Sequence, residues 1–266
     1  MLGSFNFFGK EIGYYPLMAL IGALTAGVFC FITAKKRGLN EVKMVFLLLF
    51  SAIGIFLGGH ILFGITNISF FGAFFNVKDF SQFLYIFTTI FGGQVFYGGL
   101  IGGIIAGAVY AKATRLNNFA DYTDIAAAAI PLFHCFGRIG CFLGGCCYGI
   151  ESEFGFTFEH ALIEQANGVK RFPVQLLEAG FNLALFFVLW QLLRKNKLKN
   201  HLLSLYLVAY PVGRFFFEFL RGDEYRGFLF GLSTSQIISI LLIIGIVIIE
   251  LYRKLFKKDN AEIKAE

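Results

Sequence analysis

The stretch Met44–Ile65, MVFLLLFSAIGIFLGGHILFGI, decides the fold. It carries no Asp, Glu, Lys or Arg. As an α-helix it would measure about 33 Å, enough to cross a hydrocarbon core of about 30 Å. Runs of the same kind lie at about 13–34, 83–111, 122–149, 173–194, 202–221 and 234–252, each bounded by charges or by loops bearing Gly and Asn. Seven spans of about 22 residues would occupy roughly 154 of the 266 positions, so the expected architecture is an all-α polytopic membrane protein with 1–266 as a single membrane-embedded domain.

Composition agrees with the spans. Hydrophobic residues make up 57% of the chain and charged residues 15%, against roughly 45–50% and about 25% in an ordinary soluble domain. Four Pro and 36 Phe exclude collagenous, Pro-rich and disordered classes. The first span is read as a permanent helix and not as a secretory signal, because Lys10 before it is balanced by Glu11 and the basic cluster Lys35, Lys36 and Arg37 follows it.

Lys and Arg set the expected orientation. Fifteen fall in one set of loops: Lys35, Lys36, Arg37, Lys43, Lys112, Arg115, Arg194, Lys195, Lys197, Lys199, Arg253, Lys254, Lys257, Lys258 and Lys264. Six fall in the other: Lys10, Lys78, Lys170, Arg171, Arg221 and Arg226. The richer side is the cytoplasmic one, which puts the N-terminus outside and the C-terminus inside. The net charge of +6 is explained by loops facing anionic lipid and implies no nucleic acid.

Arg138 and Arg214 complete the 23 basic residues, and both fall inside spans, as do Glu178 and Glu218. A charge at a helix centre costs about 2.5–3.5 kcal/mol on insertion scales, so each needs a partner or a task. With the fourth span entering from the cytoplasm at Tyr122, Arg138 lies about 24 Å along it, toward the outer leaflet. Arg214 lies just past mid-depth, with Glu218 nearer the outer face and Glu178 in the second turn of a span that starts outside. Tyr210, Arg214, Glu218 and Arg221 share one helix face, and His134, Arg138, Cys141 and Gly145 share another. Two readings stay open. Arg138 with Glu178 and Arg214 with Glu218 are either structural ion pairs that close a bundle, or parts of a positive cavity, edged by Arg171 and Arg221, that holds a phosphate head group through the guanidinium fork.

Gly99, Gly103 and Gly107 form a smooth ridge for close helix approach, while Gly98 and Gly99 beside Tyr97 suit a helix opened around a ligand. Cys30 and Cys135 read as small core residues. Cys141, Cys146 and Cys147 cluster near the outer end of the fourth span, and small-residue packing is favoured over a metal or redox site because no matching Cys/His set occurs elsewhere. No P-loop, zinc-protease motif, nucleophile elbow or internal repeat is present, so no cofactor and no metal is expected.

Four blocks resemble the prolipoprotein diacylglyceryl transferase family, in its order: Tyr97-Gly98-Gly99-Leu100-Ile101-Gly102-Gly103; Gly137-Arg138-Ile139-Gly140-Cys141-Phe142-Leu143-Gly144-Gly145-Cys146-Cys147-Tyr148-Gly149; Arg171-Phe172-Pro173-Val174-Gln175-Leu176-Leu177-Glu178; and Tyr210-Pro211-Val212-Gly213-Arg214 continuing to Glu218 and Arg221. Tyr15 resembles the family's N-terminal Tyr. The resemblance implies transfer of the diacylglyceryl group of phosphatidylglycerol to the lipobox Cys thiol of a preprolipoprotein, at the outer leaflet of a bacterial plasma membrane. It also implies that Arg138 and Arg214 hold the lipid phosphate. Glu218 would then orient Arg214 and Arg221 would be a rim cation, with Gln175, Glu178, Tyr15, Gly98, Gly99, Cys141 and Gly149 lining the lipid site.

The chain departs from the family pattern in two places. Tyr97 stands where the family has His, and Cys141 and Cys146 stand where it has Asn and an acidic residue. A phenol, with an ordinary pKa of about 10, is a weak general base, and His134, one turn before Arg138, is an alternative base or a hydrogen-bonded core residue; His60 has a lesser claim. A family member with a different acceptor or donor, or an anionic-solute transporter, are the competing functions. The segment 150–172 is expected outside the membrane, near the substrate peptide or the cavity mouth.

Overall fold

The computed structural model describes residues 4–161, 163–223, 227–229 and 231–262; Arg226 and Lys264, two of the orientation markers, lie outside them. Eight α-helices are seen among the described residues: α1 Tyr14–Lys36, α2 Glu41–Thr66, α3 Phe80–Phe91, α4 Phe96–Ala113, α5 Phe119–Gly144, α6 Val174–Arg194, α7 Leu202–Phe217 and α8 Thr234–Glu262. Six of them, all but α3 and α4, contain a segment long and apolar enough to cross a bilayer. The chain is thus an all-α polytopic membrane protein. It falls into two compact units, Cys30–Tyr122 and the remainder, Met1–Phe29 with Thr123–Glu266.

In the Cys30–Tyr122 unit the stretch 83–111 is not one continuous span. It breaks at Gly92-Gly93-Gln94-Val95 between α3 and α4. Hydropathy does not register the break, because the polar groups it frees are satisfied from α2: His60 Nδ1 lies 2.6 Å from the Phe91 carbonyl oxygen, and Val95 N–H donates to the Gly59 carbonyl at 3.1 Å. His60 therefore has a structural role. The start of α3 is fixed by Asp79, whose carboxylate accepts from Gln82 N–H at 2.7 Å while the Gln82 side chain accepts from Lys78 N–H. Helices α2 and α4 are joined through glycine. A Cβ at Gly98 would collide with the Gly58 carbonyl, and one at Gly102 with that of Gly54, so the two backbones meet directly. Gly99 and Gly103 face Ile55, and Gly107 faces Ser51.

In the other unit α5 is the centre. Gly22 of α1 packs on Phe133 and Phe136 of α5, and Tyr15 lies over Gly140. The buried carboxylate of Asp124 accepts from the backbone N–H groups of Asn200 at 2.6 Å and Leu202 at 3.1 Å, satisfying donors at the start of α7. Helix α8 opens with a reciprocal cap in which Ser233 Oγ accepts from Gln236 N–H and Gln236 Oε1 accepts from Ser233 N–H. The segment 150–172 carries a small antiparallel pair, β1 Glu151–Thr157 and β2 Lys170–Arg171, over a cluster of Phe142, Tyr148, Phe158 and Ala166.

Candidate functional site

Helices α5, α6 and α7 each send one of the unexpected charges to a common point, and the turn Glu218–Leu220 after α7 adds the fourth. Arg138 Nε of α5 lies 2.6 Å from Glu178 Oε2 of α6, and Arg214 Nη1 of α7 lies 3.6 Å from the other oxygen of the same carboxylate. Arg214 Nη2 is 2.7 Å from Glu218 Oε2 and donates to Ser235 Oγ of α8 at 3.3 Å. The two ion pairs read from the sequence both form, and Glu178 fuses them into one quartet. Its carboxylate is 2% exposed, and Glu218 is buried too. Charges taken this far out of water are tolerated only when paired and hydrogen-bonded.

The quartet is not saturated. Among the described residues Arg214 Nη1 is buried and makes no hydrogen bond, Glu178 Oε1 lying 3.6 Å from it. The Gln175 amide donates to the Cys146 carbonyl at 2.9 Å, while its Oε1 is buried without a hydrogen-bond partner. An open guanidinium donor in a low-dielectric setting is the chemistry that takes up a phosphate oxygen.

The positive rim expected of Arg171 and Arg221 is built differently. Arg221 is buried and held by Asp223 in a bidentate pair at 2.9 and 2.5 Å, an acid the sequence reading did not count. Arg171 is also buried: it donates to the carbonyls of Gln165, Ala166 and Gly149 and lies 4.3 Å from the centre of the Tyr148 ring. Both serve to fix the segment after α5. Gly149 is at the crossing point of that segment, where a Cβ would strike the Phe172 carbonyl, so its small size is needed for backbone packing.

His134 Nδ1 lies 3.0 Å from the Tyr206 hydroxyl, with its ring 5.1 Å from that of Tyr210. It has the geometry of the hydrogen-bonded helix residue foreseen as one of its two readings. Tyr15, 45% exposed, sits at the start of α1 with Cys141, Cys146 and Cys147 among its electrostatic neighbours. Tyr97 is in the first turn of α4, and its side chain lies outside the described residues. Gly98 and Gly99 are buried in the contact between α4 and α2, and there the helix closes on a neighbour and not around an opening.

The cysteines are arranged by a helix cap. Helix α5 ends at Gly144, short of the expected limit near 149, because Gly145 takes a left-handed φ of +69° and closes the helix with two bonds: Gly145 N–H to Phe142 O at 3.3 Å and Cys146 N–H to Cys141 O at 3.1 Å. Cys147 is also left-handed, at φ +55°. The chain thereby turns back on itself, and the Sγ atoms of Cys141, Cys146 and Cys147 all lie within 4.8 Å of one another. Glycine at 145 was the available sequence signal for this turn. Asp223 and Ser235 are further members of the site that carried none.

A polytopic helical membrane protein in which one unit is built around an incompletely hydrogen-bonded Arg–Glu quartet with buried carboxylates is the class that fold and site define. A sequence profile of the family described as prolipoprotein diacylglyceryl transferase matches residues 3–252. The phosphatidylglycerol–prolipoprotein diacylglyceryl transferase 2 of Clostridium perfringens is 37% identical over 259 residues, covering 96% of each chain. The Clostridium tetani transferase is 36% identical, covering 96% of this chain and 98% of its own, and that of Clostridioides difficile is 28% identical with 97% of each covered. The chain belongs to the prolipoprotein diacylglyceryl transferase family.

Proposed function

We propose that this protein transfers the diacylglyceryl group of phosphatidylglycerol to the lipobox Cys of preprolipoproteins. The observation that carries the reading is the Arg138–Glu178–Arg214–Glu218 quartet, with its open Arg214 Nη1. In the reaction the substrate thiolate attacks the glycerol carbon bonded to the phosphate oxygen. A C–S bond forms, the C–O bond breaks, and the bonding pair leaves with glycerol phosphate. Catalysis must then stabilise a phosphate leaving group and supply a thiolate. Arg138 and Arg214 hold the phosphate, and Arg214 offers a donor whose hydrogen bond strengthens as charge builds on the departing oxygen. Glu178 and Glu218 keep the two guanidinium planes in place, so the donors need no reorganisation when the bond breaks. Family membership, together with the three motif blocks that hold the quartet, supports the reading.

The remaining roles follow the resemblance. Tyr97 takes the position of the family's His toward the thiol proton. Tyr15, Cys141, Gly149, Gln175, Glu178 and Arg221 belong to the lipid site or shape its walls, whereas Gly98 and Gly99 serve the packing of α4 on α2. The protein acts as a single membrane-embedded domain in the bacterial plasma membrane, N-terminus outside and C-terminus in the cytoplasm, with its site toward the outer leaflet. The distribution of Lys and Arg supports that orientation.

The test is direct. Purified protein is incubated with phosphatidylglycerol and a lipobox peptide, and the peptide is weighed by mass spectrometry. A diacylglyceryl mass gain on the Cys peptide, absent from its Ser counterpart, is expected. Folded protein that gives no adduct would refute the assignment.

A further inference from the structure

We infer that Cys141, Cys146 and Cys147 form a three-thiolate site for a thiophilic divalent metal ion such as zinc, with a fourth position open to the thiol of the incoming peptide. The inference deepens the transferase reading and rests on it for its catalytic part.

The geometry is specific. Tetrahedral zinc with bonds of about 2.3 Å needs sulfurs about 3.8 Å apart, and the three Sγ atoms already lie within 4.8 Å of one another. Sub-ångström rotations close the difference. The cluster is not an accident of one flexible side chain. Cys141 is held in the last full turn of α5, and Cys146 is tied back to it through the helix cap. Gln175 grips the Cys146 carbonyl from α6. Cys147 is kept in a left-handed conformation that a β-carbon disfavours, and such a conformation persists only where its surroundings impose it. Cys141 is buried, whereas Cys146 and Cys147 are partly exposed, so the cluster lies at the edge of the packed interior. A trithiolate with a divalent ion would carry one negative charge, and its cationic neighbours at Cys147 are Arg138 and Arg221, each also paired with a carboxylate.

Three protein ligands and one open position distinguish a catalytic zinc site from a closed structural one. A thiol that takes the open position is bound as thiolate, releasing its proton to water. The sulfur lone pair then forms the C–S bond to the glycerol carbon, and the C–O pair leaves with the phosphate. No oxidant or reductant is needed. Cys141 lies one helical turn beyond Arg138 on the same face of α5, so the metal-bound thiolate and the ligand of the leaving phosphate share one edge of the helix. This would also supply the thiolate in a chain that has Tyr97 in place of a histidine base.

The experiment uses the full-length protein in detergent micelles, kept reduced with a phosphine and freed of metal by a chelator. Zinc or cobalt(II) is then added back. One equivalent of zinc per chain is expected by elemental analysis, and cobalt should show tetrahedral thiolate bands that are lost in Cys141→Ser and Cys147→Ser but kept in Cys30→Ala. Adding the lipobox peptide should shift the cobalt spectrum, and the Ser peptide should not. Chelated protein should lose adduct formation and recover it with zinc. Substoichiometric zinc in the parent protein, or full transfer by chelated protein, overturns the inference and leaves the transferase reading standing. A thiol-dependent cobalt shift without adduct from either form would uphold the metal site and remove the transferase reading instead.

Discussion

Replacing Glu178 by Gln removes the carboxylate that touches both Arg138 and Arg214. At an effective dielectric of about 20, unit charges at its two separations attract by about 6 and about 5 kcal/mol. Most of that offsets the dehydration of the same groups, and breaking one partner out of a buried pair costs about 3–5 kcal/mol net. Gln keeps a carbonyl oxygen that can accept one guanidinium hydrogen bond, so Glu178→Gln is expected at the low end, about 3 kcal/mol. Unfolding in mixed detergent micelles, followed by circular dichroism, measures this. Arg138→Gln should cost a similar amount, and the double variant less than the sum by about 1.5–3 kcal/mol, because the second substitution removes a charge the first has already orphaned. Activity should fall further than stability alone requires, on the order of a hundredfold in kcat for Glu178→Gln at temperatures where it is folded, since Arg138 and Arg214 lose their alignment. Strict additivity, or a Glu178→Gln protein within 1 kcal/mol of the parent, would refute the claim that the quartet is one electrostatic unit.

Other perturbations test neighbouring parts. Gly98→Ala drives a methyl into the Gly58 carbonyl, and a loss of at least about 2 kcal/mol in the same unfolding assay is expected. Asp124→Ala leaves the N–H groups of Asn200 and Leu202 without their acceptor and should cost about 1–2 kcal/mol, with faster amide exchange at the start of α7. Since His134 is engaged by Tyr206, His134→Gln should retain activity within about tenfold in the adduct assay; a collapse comparable to loss of Arg138 would make His134 the base. Tyr97→His should preserve or raise turnover, and a loss would mean that the phenol is specifically required.

Much of this arrangement is legible in the sequence because charge inside an apolar run is costly. Arg138, Glu178, Arg214 and Glu218 stand out for that reason, and helical spacing puts them on facing stripes. Both predicted pairs are present. Their merger through Glu178 depends on where α6 meets α5 and α7, which spacing within one helix does not encode. The break at 92–95 is hidden for a related reason: Gly is common in membrane helices, and the residue that satisfies the freed carbonyl is His60, remote in sequence. Arg171 and Arg221 read as rim charges because the sequence does not reveal that Asp223 folds back on one and a row of carbonyls on the other. The three cysteines read as packing residues because the sequence holds no matching Cys/His set elsewhere, and of the two left-handed residues that bring their sulfurs together, Gly145 and Cys147, only the glycine carries a sequence signal.

Phosphorus NMR of the reaction mixture tests the central claim most directly, because it watches the group that Arg138 and Arg214 are said to release. With phosphatidylglycerol and lipobox peptide, the parent protein should produce glycerol phosphate in step with peptide adduct, one for one. Arg138→Ala and Arg214→Ala, verified as folded, should each slow its appearance by about a hundredfold or more. Glycerol phosphate released at the parent rate by both variants would contradict the account.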